Sequence, residues 1–245
     1  MMKAVYFRLS GRLAHYLKAE AGVNALSYPV PTRTVLLGII GAILGLEKDT
    51  PQSVLEPAFI AIYGKMPLRH WHRAKLRKDP PGSVPMVVER KRSIKASTVP
   101  EEATLILQEW LVNPCYEVWV IIPEPYHSQF LERVKSRKWY FQPSLGLSEM
   151  MANIEYLGAD EPEEVYHLPF GVYEVGTILR QNQVQINFKK SLANNLNIQI
   201  LQMPRTVTSE RVFTHEKYLW ECQGNSLTVE TSEAYKIGDK VVMFL

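Results

Sequence analysis

LSYPVPTRTVLLGIIGAILGLEK, residues 26–48, leads two prolines into Thr-Arg-Thr and then runs twelve apolar or glycine residues without a break from Val35 to Leu46. Such a run reads as a membrane segment, a buried core helix, or the helix behind a phosphate-binding turn. Crossing the hydrocarbon core takes roughly 20 apolar residues, so twelve exclude a span. No GxxxxGK[ST] precedes the helix, which removes a nucleoside-triphosphate loop. A core helix remains. It is expected to start near Thr32–Thr34, where a threonine after proline can cap the first backbone N–H groups, and to stop around residues 46–48. Gly38, Gly41 and Gly45 fall on one stripe, each costing roughly 1 kcal/mol against alanine; close packing of the helix against a sheet is the expected compensation. The entry, SYPVPTRT, adds a stiff turn that offers Tyr28 as a stacking face and Arg33 beside free N–H groups, the chemistry of an anion site.

Working outward, residues 2–10 alternate as a strand, and 11–31 read as an irregular loop. Residues 58–76 read as a long strand interrupted at Gly64 and Pro67. KDPPGSVP turns the chain, and MVVERKRSIK returns, giving a basic hairpin over about 66–97. CYEVWVII (115–122) reads as a buried strand and residues 125–139 as an amphipathic helix, while 147–158 reads equally as a strand or a short helix. The order β-α-β, hairpin, β-α-β is that of a split βαβ, ferredoxin-like sheet with one long insertion. From Gly171 onward short strands predominate. The fold class expected is therefore α+β, with residues 1–160 as one domain and 161–245 as a β-rich C-terminal region divided from it at the acidic GADEPEEV stretch (158–165).

The chain has 245 residues, 46% of them apolar, enough for a sizeable core. Cys115 and Cys222 have neither metal-ligand nor disulfide spacing, and no export signal is visible, so a cytoplasmic protein without membrane attachment is expected. Net charge is +3, unevenly spread. Residues 65–95 hold ten Lys and Arg against Asp79 and Glu89, a net of +8; the remainder holds eighteen basic and twenty-three acidic residues, a net of −5. A basic segment on an acidic body is the footprint of polyanion binding, without separating RNA from DNA or an anionic membrane.

GRLAHYLKAEAGVNALSYPVPTRTVLLGIIGAILGL (11–46) resembles the N-terminal signature of the CRISPR-associated protein five family, whose members form part of RNA-guided Cascade complexes. EWLVNPCYEVWVII (109–122), FQPSLGLSEMMANIEYL (141–157) and the terminal VVMFL are similar to later landmarks of that family. The resemblance implies a RAMP-type, ferredoxin-like (RRM-like) fold that grips the repeat-derived 5′ handle of a guide RNA. It also implies a long β-hairpin thumb reaching toward a neighbouring backbone subunit, and the basic hairpin lies where such a thumb would be inserted. The expected partners are guide RNA, the backbone and large subunits of the complex, and target DNA indirectly through it.

Within LRHWHRAKLRK, strand alternation puts Arg69, Trp71, Arg73 and Lys75 on one face and His70, His72 and Ala74 on the other. Arg and Lys track phosphates, and an aromatic stacks on an unpaired base. Arg90 and Arg92 on the returning segment extend that charge. With Arg12, His15, Tyr28, Thr32, Arg33 and Thr34 from the loop and helix start, these form the expected RNA-binding set. An exposed hairpin kept soluble by charge, with Trp71 packed on a partner protein, is the plainer alternative. Metal-free RNA cleavage needs a general base and a proton donor, which His15, Tyr16 and Lys18 could supply. The glycine-rich C-terminal loop of hairpin-processing RAMP endoribonucleases is absent, however, and a non-catalytic subunit is expected. His70 and His72 lack a third metal ligand nearby, so no metal and no cofactor are expected. Apolar surface in the C-terminal half is expected to dock against neighbouring subunits.

Overall fold

The computed structural model describes residues 3–18, 20–22, 24–77, 103–158 and 163–245. In chain order the strands and helices are Lys3–Ser10 (β1), Leu13–Ala14 (β2), Tyr16–Leu17 (β3), Ser27–Tyr28 (β4), Arg33–Leu44 (α1), Pro51–Val54 (α2), Phe59–Gly64 (β5), Leu68–Arg77 (β6), Ala103–Val112 (β7) and Cys115–Ile121 (β8). Then come Tyr126–Ser136 (α3), Asn153–Tyr156 (β9), Glu163–His167 (β10), Gly171–Val175 (β11), Leu179–Arg180 (β12), Gln185–Ile186 (β13) and Phe188–Ala193 (α4). Ile198–Val207 (β14), Phe213–Glu221 (β15), Leu227–Thr231 (β16), Tyr235–Ile237 (β17) and Lys240–Val242 (β18) complete the chain. The architecture is mixed, mostly sheet with few helices.

A seven-stranded sheet forms the centre, ordered β18-β17-β10-β1-β8-β5, with β9 also paired to β1. All its pairings are antiparallel; Phe7, for example, sits opposite Val118 on one side and Tyr156 on the other. Period-two alternation divides the central strands between two cores. Val5, Phe7, Leu9, Ile60, Ile62, Val118 and Val120 face a large cluster that takes in α1 through Leu36, Leu37, Ile40 and Ile43, and α3 through Phe130 and Val134. The opposite face, with Ala4, Ala61, Trp119 and Ile121, packs against Val165, Ile237, Val242 and Phe244 from the C-terminal half. At the far end of the chain, Leu245 N–H donates to the Ile60 carbonyl (2.8 Å). The C-terminal region thus closes the second face of the first sheet, through strands that join it on the far side of the acidic stretch.

Sequence and structure agree closely on β1, on α1 and its Thr32 cap, on β8 and α3, and on the break between β5 and β6. Residues 147–158 resolve into a strand, β9, and Phe188 and Lys189, expected to end the extended stretch QVQINFK, open α4 instead. The basic strand β6 pairs over its whole length with β7, from Leu68↔Val112 to Arg77↔Ala103. Its return strand is therefore residues 103–112, a correction to the expected return at 86–95, which lies outside the described residues. Charge explains the error: the basic stretch at 86–95 drew the reading, whereas the more apolar ATLILQEWLV is the strand that pairs with β6.

The helix glycines serve a different neighbour from the one expected. The sheet-facing side of α1 is leucine and isoleucine, whereas a Cβ on Gly41 would lie 2.2 Å from the Pro51 ring of α2. Gly45, the C-cap at φ +83°, abuts the Tyr140 ring, and Gly38 faces open space. That stripe floors a groove of about 940 Å³, walled by Tyr140, Phe141, Val207 and Phe213.

Arg33 fastens the start of α1. Its guanidinium, 3% exposed, makes two bonds to the Glu56 carboxylate (2.5 and 2.8 Å) and donates to the Ala58 carbonyl (2.8 Å) and, more weakly, to Arg205 carbonyl (3.4 Å). Burial would raise the Glu56 carboxyl, but Arg33, the Ala58 N–H and Arg205 hold it below its ordinary value of 4.5.

Two predictions follow from this packing. Gly38→Ala should stabilise the protein by about 1 kcal/mol, while Gly41→Ala should destabilise it by about 1–3 kcal/mol through overpacking on Pro51; thermal melts of both variants check the opposite signs. Glu56→Gln should cost about 3 kcal/mol near neutral pH by leaving Arg33 buried without its carboxylate. A carboxylate depressed in the folded state stabilises above the unfolded value and loses that contribution as pH falls through the folded one. The stability gap between native and Glu56→Gln protein should hence shrink on acidification below pH 4.5, as read from denaturant titrations at several pH values.

Candidate nucleic-acid interface

Strands β6 and β7 form a two-stranded antiparallel ribbon whose root is widened by β2, paired to Leu111 and Val112. Alternation along β6 gives the ribbon two different faces. Arg69, Trp71, Arg73 and Lys75 share one of them, all exposed, with Trp71 at 51% and Leu105, opposite Lys75 on β7, at 70%. The other face carries His72 stacked on Trp110, ring centroids 3.9 Å apart. A large indole left half in water beside three cations is unusual for a face that packs internally. Cations at every second residue and an exposed ring between them are what an unpaired nucleic-acid strand needs.

The second part of the interface is a cleft of about 760 Å³ next to the ribbon root. His15, Tyr28, Thr32 and Thr34 all line it, so four of the expected residues, from separate parts of the sequence, come together here. Gln108 of β7 also lines it, which makes β7 common to ribbon and cleft. Residues 24–28 run along the free edge of β7: Ala25 N–H donates to Leu107 carbonyl and accepts, through its own carbonyl, from Glu109 N–H (both 2.9 Å). The wall opposite comes from β14 and β15, through Pro204, Phe213 and His215.

Individual residues differ from the expected picture. His15 is 3% exposed, and its Nδ1–H donates to the Glu109 carbonyl (2.8 Å), so its ring is held as part of the wall. Tyr28 is also buried; its hydroxyl donates to Glu20 Oε1 (2.9 Å) and Lys18 Nζ lies 5.2 Å from its ring centre. Burial, then Glu20, raises the Tyr28 hydroxyl pKa. Burial pushes the Glu20 carboxyl up, but its own backbone N–H, the Tyr28 hydroxyl, His215 and Lys18 outweigh this and hold it below the usual range. The Thr32 side chain accepts from Val35 N–H (3.3 Å) and is bonded to the Thr34 hydroxyl at 2.9 Å. Thr32 therefore spends its oxygen on the helix cap.

Arg33 requires a correction. It was expected to face an anion at the helix start, but it is buried and its bonds to Glu56 and Ala58 turn it inward. An arginine after a proline turn carries no sign of which way it points; the acid that claims it is 23 residues on. Arg12 is exposed, and its carbonyl accepts from Asn113 N–H (2.9 Å) at the ribbon base. Arg90 and Arg92 lie outside the described residues.

Sequence reasoning missed Glu20, Gln108, His215 and Glu109. Glu109 had a signal: an acid at an inward position of the alternating strand ILQEW. His215 had none, since only the pairing of β14 with β15 brings it across the cleft. Among the described residues no group of three or more His, Cys, Asp or Glu could hold a metal ion, and no helix is long and apolar enough to cross a membrane.

Comparison with known proteins gives a consistent identity. No curated protein matches the chain. Among solved structures, a chain of a "CRISPR RNA-guided surveillance complex" aligns over 92% of this chain and 91% of its own at 12% identity, with a TM-score of 0.54. A CRISPR protein from Archaeoglobus fulgidus aligns over 98% of both chains at 13% identity, with a TM-score of 0.53. At such identities the likeness is one of fold. The family model described as CRISPR-associated protein (Cas_Cas5) matches residues 4–213. With most of its length inside that match, the chain belongs to the Cas5 family of CRISPR-associated proteins.

Proposed function

We propose that the protein is a non-catalytic guide-RNA-binding subunit of a type I Cascade effector complex, holding the 5′ handle of the RNA. Its body is a ferredoxin-like RAMP domain, a reading supported by the antiparallel order β9-β1-β8-β5 with α1 and α3 as the two crossover helices. The β6–β7 ribbon is its thumb. The observation that carries the proposal is that the exposed Arg69, Trp71, Arg73 and Lys75 stand on a ribbon whose second strand, β7, also contributes Gln108 to a cleft lined by His15, Tyr28, Thr32 and Thr34. Phosphates run along the cations, Trp71 stacks on an unpaired base, and the cleft accepts handle nucleotides beyond it.

Partner subunits enter on the same footing. The proposed contacts are the backbone subunit at the thumb and the large subunit elsewhere, with target DNA reached only through the assembled complex. Exposed Phe170, Val172, Phe188, Leu192 and Ile200 in the C-terminal half are apolar surface suited to such docking. The burial of His15 and the bond that holds its Nδ1 support the non-catalytic reading, because a general base must reach the proton it removes.

Binding of labelled repeat RNA by the purified protein tests the proposal. Arg73→Ser and Lys75→Ser should each weaken binding and flatten the salt dependence by about 0.7 in the log–log slope, one single-strand phosphate contact apiece. Trp71→Ala should cost about 1–3 kcal/mol of binding with the slope unchanged. Native affinity in all three variants would contradict it. Incubated with the same RNA in EDTA, the protein should leave it intact; cleavage that disappears on His15→Ala would instead establish a metal-independent endoribonuclease.

A further inference from the structure

Glu109 stands in the strand shared by ribbon and cleft, and it contacts neither surface as a ligand would. It is 4% exposed, yet bonds from four residues converge on it. One carboxylate oxygen, Oε2, accepts the Ser27 N–H (3.0 Å), and the other, Oε1, pairs with Arg69 Nη1 (3.1 Å). The backbone of the same residue accepts from His15 Nδ1–H and donates to the Ala25 carbonyl. Ser27 carries the connection onward: its hydroxyl accepts the Tyr16 N–H (2.9 Å) and donates to the Tyr28 carbonyl (2.8 Å). An unbroken chain of bonds therefore runs from a guanidinium on the exposed basic face to the two tyrosine-bearing strands that wall the cleft.

A simple ribbon root does not need this arrangement. The neighbouring inward position on β7, Leu111, is filled by a fully buried leucine, and an apolar residue at 109 would avoid desolvating a carboxylate. The acid also divides its two oxygens between two different segments, one belonging to each half of the proposed interface. We infer that Glu109 is a positioning residue that couples the thumb face to the cleft, fixing the Arg69 guanidinium and the Ser27–Tyr28 wall in one mutual geometry. Nucleotides that order one half then find the other already ordered, which makes their contributions cooperative. This inference rests on the RNA-binding reading for its functional meaning, while the linkage itself is testable without RNA.

Hydrogen exchange of the full-length protein, native and Glu109→Gln, tests the linkage. Glutamine keeps an acceptor oxygen and nearly the same shape but loses the charge. The amides of Tyr16, Ser27 and Tyr28 should exchange about tenfold faster in the variant, with β1 and β8 unchanged. Unaltered exchange at Ser27, or an equal rise throughout the sheet, overturns the inference. The functional part is read from affinities for repeat RNA of His215→Ala, Arg73→Ser and their combination, in both the native and the Glu109→Gln backgrounds. In the native background the combined loss should differ from the product of the single losses by about fivefold, and in the Glu109→Gln background it should match that product. Simple products in both backgrounds overturn the coupling. A native protein with no affinity for the RNA would sink the proposed function, whereas the exchange result at Ser27 decides the Glu109 linkage in either case.

Discussion

Burial of both faces of the central strand pair, Lys3–Ser10 against Cys115–Ile121, is the constraint from which the rest of the fold follows. In β8, Tyr116, Val118 and Val120 look toward the helices while Trp119 and Ile121 look the other way, and every one of them is buried. Two helices can cover only one of those faces. The C-terminal strands cover the other, so residues 163–245 complete the first core as well as building a region of their own. Trp119 shows how closely that second face is closed: its ring stacks on Tyr6 at 4.6 Å, and Lys240 of β18 lies over both rings while pairing with Glu117. Burial of Glu117 opposes its ionisation, but Lys240, Tyr6 and Arg8 outweigh this and hold its carboxyl below the usual range.

A sheet filled on both faces leaves the proposed RNA-binding surface to be built from insertions. The loop after β1 and the ribbon between β5 and β8 are those insertions, and they meet at β7. Charges divide accordingly. Arg33 and Glu109 are buried and act within the protein, one fastening the helix start and the other joining loop to ribbon. Arg73 and Lys75 are exposed on β6, where the proposed RNA contact lies. Being basic and close to the Tyr-Pro-x-Pro turn did not make Arg33 part of the surface; an acid within reach, Glu56, drew it inward.

What the sequence made legible was whatever depends on local pattern. The apolar run after SYPVPTRT could only be a short core helix, Thr32 could be read as its cap, and alternation in CYEVWVII and LRHWHRAK assigned faces correctly. Pairings between distant segments were not legible. The return strand of the ribbon was misplaced because charge drew attention to residues 86–95, when a ten-residue strand was seeking the apolar alternation at 103–112. The glycine stripe was recognised but given the wrong neighbour, since nothing in the sequence says that Pro51 and Tyr140 will lie over it. Four residues named from the sequence line the cleft, yet His215 enters it from a hairpin two hundred residues from His15.

The central claim is that ribbon face and cleft form one RNA-binding surface. Photo-crosslinking of the purified protein to 4-thiouridine-substituted repeat RNA, with the linked peptides identified by mass spectrometry, tests this most directly. The account predicts crosslinks both in residues 69–75 and in residues lining the cleft, such as Tyr28 or His215, with the two sets attached to neighbouring nucleotides. Crosslinks confined to surfaces outside both, or joining ribbon and cleft to distant parts of the RNA, would contradict it.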